Sequence, residues 1–208
     1  EMSALTTKRY STSFSIGVHF LSKDLQAPIH AIYGFVRFAD EIVDTFHDYD
    51  KHELLKEFKD ETYKAIERGI SLNPILNSFQ WAVNKYQIDP ELIETFLKSM
   101  EMDLQTIQYE RTVYEQYILG SAEVVGLMCL KVFVRGNEES YSKLKDSAMK
   151  LGAAFQKINF LNFYTVYFKS SYFFQVSNQF LLPVFVNQFN FFVIHWLCIF
   201  SLYQPVTF

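Results

Sequence analysis

Apolar residues recur at steps of three and four along most of this chain, the spacing that gives an α-helix one buried face. Between residues 29 and 161 the pattern is almost continuous, and few segments alternate as a β-strand would. Residues 52–70 place five apolar positions opposite a charged face: Leu54, Leu55, Phe58, Ala65 and Ile66. We therefore predict an all-α fold, with 52–70 as an amphipathic surface helix.

Four further helices are predicted from the same spacing, over 73–88, 89–107, 114–134 and 140–161. The helix over 89–107 has a defined start, because Asp89 suits the N-cap and Pro90 the first helical position.

The segment 114–134 is almost wholly apolar after Gln116 and holds four small residues: Gly120, Ser121, Ala122 and Gly126. This pattern is typical of a buried helix, and the small side chains leave room beside its backbone. We interpret that room as space for something bulky, such as a long apolar chain.

The composition changes abruptly at about residue 162. All 23 acidic residues precede this point, whereas the last 47 residues hold one lysine, no glycine and 16 aromatic residues. We divide the chain into a domain over 1–161 and an aromatic, apolar tail over 162–208. A window over 180–203 is long enough to span a bilayer, but polar residues interrupt it and no basic flank orients it. Two interpretations of the tail stay open. It is either a membrane anchor or the product of an altered reading frame or gene end, and we favour the second.

Length and charge narrow the class of protein. A chain of 208 residues, half of them hydrophobic, is long enough for one well-formed core. The net charge of −4 argues against nucleic acid as a partner, because no basic stripe is available to neutralise phosphates. Cys129 and Cys198 form neither a disulfide framework nor a metal-binding spacing, which favours a reducing, cytoplasmic setting.

One charged row interrupts the apolar sequence AIYGFVRFADEIVD at 31–44. On a helix Arg37, Asp40 and Asp44 fall on one line, beside Tyr33. Carboxylates one turn apart suit a hard cation such as Mg²⁺, with Mn²⁺ as an alternative. That ion can clamp a diphosphate and offset the charge gained when its C–O bond breaks, and Arg37 can bind the same oxygens. The alternative interpretation is a solvated acidic face.

Five stretches, in this order, resemble the squalene/phytoene synthase family of head-to-head prenyl transferases, most closely its bacterial phytoene synthases. They are YSTSFS at 10–15, AIYGFVRFADEIVD at 31–44, FLKSMEMDL at 96–104, YILGSAEVVGLM at 117–128 and LGAAFQKINFL at 151–161. The resemblance implies an isoprenoid synthase-type helical bundle. It also implies that two allylic diphosphates are joined through a cyclopropyl intermediate, with Mg²⁺ held by two aspartate-rich motifs.

The resemblance assigns roles to residues in these stretches. Asp40 and Asp44 match the first aspartate-rich motif and its metal ligands, and Arg37 matches a diphosphate-binding arginine. Tyr117 matches a tyrosine near the reacting carbons. Taken alone, Tyr117 is equally typical of a core tyrosine whose hydroxyl is satisfied at the rim.

Six more positions match substrate-binding residues of the family: Ser11, Ser13, Val125, Gly126, Gln156 and Asn159. Some of them have a simpler interpretation. The hydroxyl run at 10–15 can serve as a helix cap. Gln156 and Asn159, three residues apart, can form a partly buried polar pair.

The sequence departs from the family after residue 161. Where the family continues with Arg-Asp and a second aspartate four residues later, this chain has Asn162, Phe163 and Tyr167. Without that second motif one wall of the diphosphate site has no carboxylates. We therefore expect an incomplete bundle and a chain with little or no activity.

The resemblance predicts a phytoene synthase-like enzyme of carotenoid biosynthesis acting on geranylgeranyl diphosphate. Three alternatives remain. The first is a squalene or dehydrosqualene synthase-like enzyme using farnesyl diphosphate, and the second is a non-catalytic, membrane-associated protein that binds a prenyl diphosphate. The third is a helical interaction domain, for which Asp40→Ala and Asp44→Ala change only the surface charge. We expect a cytoplasmic protein with peripheral membrane contact.

Overall fold

The computed structural model describes residues 1–105 and 111–171, and every regular element within these ranges is helical. The helices are α1 Met2–Tyr10, α2 Thr12–His19, α3 Lys23–Thr45, α4 Lys51–Arg68, α5 Pro74–Tyr86, α6 Pro90–Asp103, α7 Arg111–Ile118, α8 Val124–Phe133 and α9 Glu138–Ser171. A π-helical segment, Leu119–Glu123, joins α7 to α8. The all-α prediction is confirmed.

The observed helices differ from the predicted ones in several places. Residues ahead of 29 are helical as well, in α1, α2 and the first turns of α3. The single helix predicted over 114–134 is interrupted by the π segment. The backbone of α9 runs on through residue 162 as far as Ser171. The side chains of residues 158–171 and the whole of 172–208, including the candidate span at 180–203, lie outside the described structure.

Local sequence explains where these helices begin and end. The Asp50 carboxylate accepts hydrogen bonds from the backbone N–H groups of His52 and Glu53 at 3.0 and 3.1 Å, which caps α4. Gly69 ends the same helix in the left-handed region at φ +69°. Helix α6 begins at Pro90 after Asp89, as predicted, although the Asp89 side chain makes no capping bond.

Helix α3 lies at the centre of the bundle and packs against α1, α2, α4, α5, α6 and α8. Its Phe35 is fully buried, and its ring stacks on that of Phe79 with 3.8 Å between centroids. Phe58 and Phe96 contact the same ring, at 5.5 and 5.4 Å between centroids. The apolar side of α3 is thus fixed by an aromatic core, which directs its charged row to the bundle's edge.

The small residues near the π segment admit neighbouring helices. A Cβ at Gly120 would lie 2.5 Å from the Cβ of Ser99 on α6, and one at Gly152 would lie 3.1 Å from the carbonyl oxygen of Ala122. Our interpretation of Gly120 as room for a bulky apolar chain is therefore wrong. The space is filled by α6, since two helix backbones approach closely there.

The stretch Thr112–Phe133 is long and apolar enough to cross a membrane. In this fold 78% of its most apolar window is buried inside the protein. That burial is typical of the central helix of a bundle, in agreement with the buried helix predicted at 114–134.

Candidate functional site

Arg37 is the centre of the charged row on α3. The residue is only 4% exposed, and its guanidinium lies 3.7 Å from Asp40 Oδ2 and forms a closer ion pair with Glu41. The ring of Tyr10 covers the guanidinium, with 4.7 Å between Cζ and the ring centroid. Arg37 Nε is buried and has no hydrogen-bond partner among the described residues. An arginine buried beside two carboxylates is suited to binding an anion such as a phosphate group.

Helix geometry explains these pairs. Asp40 and Glu41 are three and four residues beyond Arg37, so both carboxylates return to its guanidinium. Tyr10 ends α1, and the chain then turns at Ser11 into α2. The predicted line of Arg37 and Asp40 is confirmed, while Glu41 is a second partner that the prediction missed.

The acids of the row repel one another. Removal from water raises the pKa of Asp40 to about 8; the Arg37 charge opposes this rise, and the charges of Asp44 and Asp103 add to it. The pKa of Asp44 is also raised, first by restricted hydration, with Arg37 and Lys51 opposing. Excess negative charge in a poorly hydrated place is stabilised by a cation.

Asp103 was not predicted as a site residue, yet it belongs to this region. Its carboxylate accepts a hydrogen bond from the Tyr117 hydroxyl at 3.2 Å. Removal from water raises the pKa of Asp103 to about 7, the Tyr117 hydrogen bond lowers it, and the Asp44 charge raises it. The structure thus brings Tyr117 and a third acid towards the end of α3.

The donor set fits a divalent cation of the Mg²⁺ type. Asp40 and Asp44 offer carboxylate oxygens from adjacent turns, and Mg²⁺ commonly uses one or two carboxylates with water and substrate phosphate. Within residues 1–105 and 111–171, no group of three or more His, Cys, Asp or Glu side chains is arranged to hold a metal ion. Asp40 and Asp44 alone would fill only part of the coordination shell of such a cation.

Ser11 is buried and caps α2. Its hydroxyl oxygen accepts a hydrogen bond from the Phe14 backbone N–H at 3.0 Å, so the capping interpretation is confirmed. The neighbouring Tyr33 stacks on Phe14 at 4.6 Å, and burial raises the pKa of its phenol. The side chain of Ser13 lies outside the described structure, although its backbone belongs to α2.

The remaining predicted residues surround the π segment. Ser121 donates a hydrogen bond to the carbonyl oxygen of Tyr117 at 2.8 Å, and Gln156 Nε2 lies 3.5 Å from Ser121 Oγ. Val125 and Gly126 are buried at the start of α8. The predicted pair of Gln156 with Asn159 stays a prediction, since the side chain of Asn159 is outside the described part of α9.

Sequence signals existed for two of the three residues that the prediction missed. Glu41 is four residues after Arg37, a spacing that forms ion pairs on a helix. Asp103 is an acid in the last turn of a helix, where the dipole disfavours it. Tyr10 gave no such signal, because its contact with Arg37 depends on the packing of α1 against α3.

Fold and site together define a helical bundle with a buried arginine and paired carboxylates at one end of its central helix. The family model for squalene/phytoene synthase matches residues 7–164. This chain therefore belongs to the squalene/phytoene synthase family.

Two individual relatives agree with this assignment. The 4,4'-diapophytoene synthase of Staphylococcus haemolyticus (strain JCSC1435) is 25% identical over 158 residues, which are 74% of this chain and 54% of that protein. A solved dehydrosqualene synthase in complex with a ligand has the same fold, with a TM-score of 0.64 and 22% identity over 74% of this chain and 53% of its own. The chain spans about half the length of both relatives.

Proposed function

We propose that this chain is a phytoene synthase-like prenyl transferase of carotenoid biosynthesis, which condenses two geranylgeranyl diphosphates head to head to phytoene through a cyclopropyl diphosphate. One observation carries the proposal. Arg37 is buried among Asp40, Glu41 and Tyr10, and its Nε has no hydrogen-bond partner among the described residues. A buried cation held by acids in this way is suited to a diphosphate that brings its own metal.

Each residue then has a definite task. Arg37 binds diphosphate oxygens with its planar fork. Asp40 and Asp44 would hold Mg²⁺ or Mn²⁺, which when bound would supply Lewis acidity to offset the charge on a departing diphosphate. Tyr117 lies beside the reacting carbons.

The other matched positions receive the rest of the substrate. Ser11 and Ser13 belong to the segment that approaches the diphosphate, and Gln156 and Asn159 are the polar groups that precede the second aspartate-rich motif. Val125 and Gly126 contact the prenyl chain. The carbocation formed in such a reaction survives only where water is excluded.

A second candidate is a squalene or dehydrosqualene synthase-like reaction of farnesyl diphosphate. It is favoured by the names of the two relatives, a diapophytoene synthase and a dehydrosqualene synthase. The family assignment is compatible with either substrate. In both cases we expect weak turnover, because Asn162, Phe163 and Tyr167 stand at the second aspartate-rich motif. A cytoplasmic location with peripheral membrane contact suits these long apolar substrates.

Binding and turnover should be measured on the full chain with Mg²⁺. Isothermal titration with geranylgeranyl and farnesyl diphosphate gives the preferred chain length, and extraction of C40 or C30 hydrocarbons reports product. We expect saturable, Mg²⁺-dependent binding with geranylgeranyl diphosphate preferred. Preference for farnesyl diphosphate would support the second candidate instead.

The controls separate this site from general negative charge. Asp40→Asn and Asp44→Asn should each weaken binding at least about tenfold, because each removes a carboxylate from the cation. Asp60→Asn, on the exposed face of α4, removes the same charge elsewhere and should leave binding unchanged. Binding without turnover would favour the non-catalytic alternative. Unchanged affinity in both Asp40→Asn and Asp44→Asn would refute the proposed site.

A further inference from the structure

Asp103 occupies a position that its own helix does not favour. It is the last residue of α6, and the negative end of the helix dipole makes a carboxylate unfavourable there. The last turn holds no basic residue to offset this charge. The nearby Glu101 pairs with Lys59 on α4, with 3.5 Å between Nζ and Oε1. Asp103 makes a different contact from that of Glu101.

The contact of Asp103 is with Tyr117. The phenol donates to Asp103 Oδ2 at 3.2 Å and so joins α7 to α6 through two residues that are 14 apart in sequence. A hydrogen bond to a carboxylate is stronger than one between neutral groups and fixes the donor's direction. Helix α6, which carries Asp103, packs directly against α3, and the charge of Asp44 near the end of α3 raises the pKa of Asp103.

The backbone of Tyr117 is held separately. Ser121, in the π segment, donates to the Tyr117 carbonyl oxygen at 2.8 Å, and Gln156 on α9 lies 3.5 Å from the Ser121 hydroxyl. Tyr117 is therefore fixed at its main chain from one side and at its hydroxyl from the other. Of these two restraints, the one at the hydroxyl depends on Asp103.

Close packing sets the register of α6 against this helix. Gly120 admits Ser99 so closely that a Cβ would lie 2.5 Å from the Ser99 Cβ. Ser99 and Asp103 are four residues apart and share one face of α6. The contact at Gly120 consequently directs Asp103 towards Tyr117.

We propose that Asp103 is the positioning residue for Tyr117, holding the phenol hydroxyl beside the acidic end of α3 where the substrate reacts. This inference rests on the proposed function. In this proposal Asp103 acts through Tyr117, to which it is hydrogen-bonded.

The hydrogen bond is tested first on the free protein. The full chain is labelled with 3-fluorotyrosine, and Tyr117→Phe identifies the ¹⁹F resonance of Tyr117 by its loss. Asp103→Ala should shift this resonance, and Asp103→Asn, which keeps an acceptor oxygen, should shift it less. Glu101→Gln removes a charge two residues away from Asp103 and should leave the Tyr117 resonance unchanged. An unchanged resonance in Asp103→Ala would overturn the inference.

The positioning role is tested next with geranylgeranyl diphosphate and Mg²⁺. Wild type and Asp103→Ala should bind with dissociation constants within about twofold of each other. The Tyr117 resonance should respond to the ligand in wild type and lose that response in Asp103→Ala. An equal response in both proteins, or bound ligand without any response in wild type, would refute the role. Absence of binding in every variant refutes the proposed function and with it the positioning role, while the free-protein comparison still decides the hydrogen bond.

Discussion

At the scale of the residue, the site depends on a charge that is buried together with its counterions. Arg37 is 4% exposed, and the side chains of Asp40 and Glu41 retain 21% and 20% exposure. Burial makes this arginine costly unless its partners stay in place. The same arrangement keeps the guanidinium rigid before any ligand arrives.

Arg37→Ala should lower the free energy of unfolding by about 2 kcal/mol, less than for a fully buried pair because both acids still reach water. Urea denaturation followed by circular dichroism measures the change. Arg135→Ala is the matched control, since its ion pair with Asp24 is more than half exposed and should contribute less than about 1 kcal/mol. Equal losses in the two variants would contradict the structural role of Arg37.

The charged row could be predicted from sequence because it depends on spacing along one helix. Steps of three and four place Arg37, Asp40 and Glu41 together whatever surrounds them. The contact of Asp103 with Tyr117 could not be predicted in this way, because it depends on which face of α6 meets α7. Periodicity predicts a helix's apolar face but not its neighbour.

At the scale of the element, α4 is tied to α6 by a small polar cluster. Glu94 accepts hydrogen bonds from Lys59 at 2.9 Å and from the Tyr63 hydroxyl at 2.8 Å. The Lys59 hydrogen bond is the largest cause of the lowered pKa of Glu94, with Tyr63 adding to it. These contacts are made by the ionised carboxylate.

The stability of the α4–α6 contact should depend on pH. A carboxyl whose pKa is lower in the folded state stabilises the fold above its ordinary pKa of 4.5, and this contribution is lost as the pH falls through the lowered value. Glu94→Gln should therefore be less stable than wild type at pH 7, and the gap should narrow in acid. Urea titrations at several pH values measure it. Glu61→Gln, from the exposed pair with Lys64, should show little difference at any pH.

The close approach at Gly120 gives a second test at this scale. Gly120→Ala should destabilise the fold by about 1–3 kcal/mol, because the new methyl overlaps Ser99 on α6. Gly152→Ala meets its neighbours at 3.1 Å and gains helix propensity, so its change should be smaller. Thermal unfolding of both variants checks the order, and a larger loss at Gly152 would contradict it.

Small residues on an apolar helix therefore have two interpretations, room for an apolar chain or the close approach of another helix. Sequence alone does not separate them. Gly120 predicts a close approach, but the pattern does not identify the partner. The structure assigns that approach to α6, while Val125 and Gly126 remain candidates for contact with a prenyl chain.

At the scale of the whole molecule, an aromatic core holds the bundle around α3. Phe35 stacks on Phe79 and contacts Phe58 and Phe96, so four helices meet at one ring. The all-α class was predictable because helical spacing pervades residues 29–161. The order in which the helices pack was not, since it is set by complementary side-chain shapes.

Phe79→Ala should cost about 3–5 kcal/mol of stability, because Phe79 is fully buried and the cavity would open beside Phe35. Phe20→Ala provides the control, since Phe20 is 76% exposed and its loss should change stability by less than about 0.5 kcal/mol. Chemical denaturation distinguishes the two variants. A similarly small change in stability for both variants would contradict the close packing of Phe79 in the core.

The π segment at Leu119–Glu123 changes the direction in which one half of the long helix faces. A π turn contains about one residue more than an α turn, and one residue rotates an α-helix by about 100°. Without it, Tyr117 would be rotated away from α6 while α8 stayed in the core. The segment thus acts as a phase shift between α8, which is buried in the core, and α7, which presents Tyr117 to Asp103 on α6. The apolar faces of α7 and α8 can therefore point in different directions, because the π segment rotates one helix relative to the other.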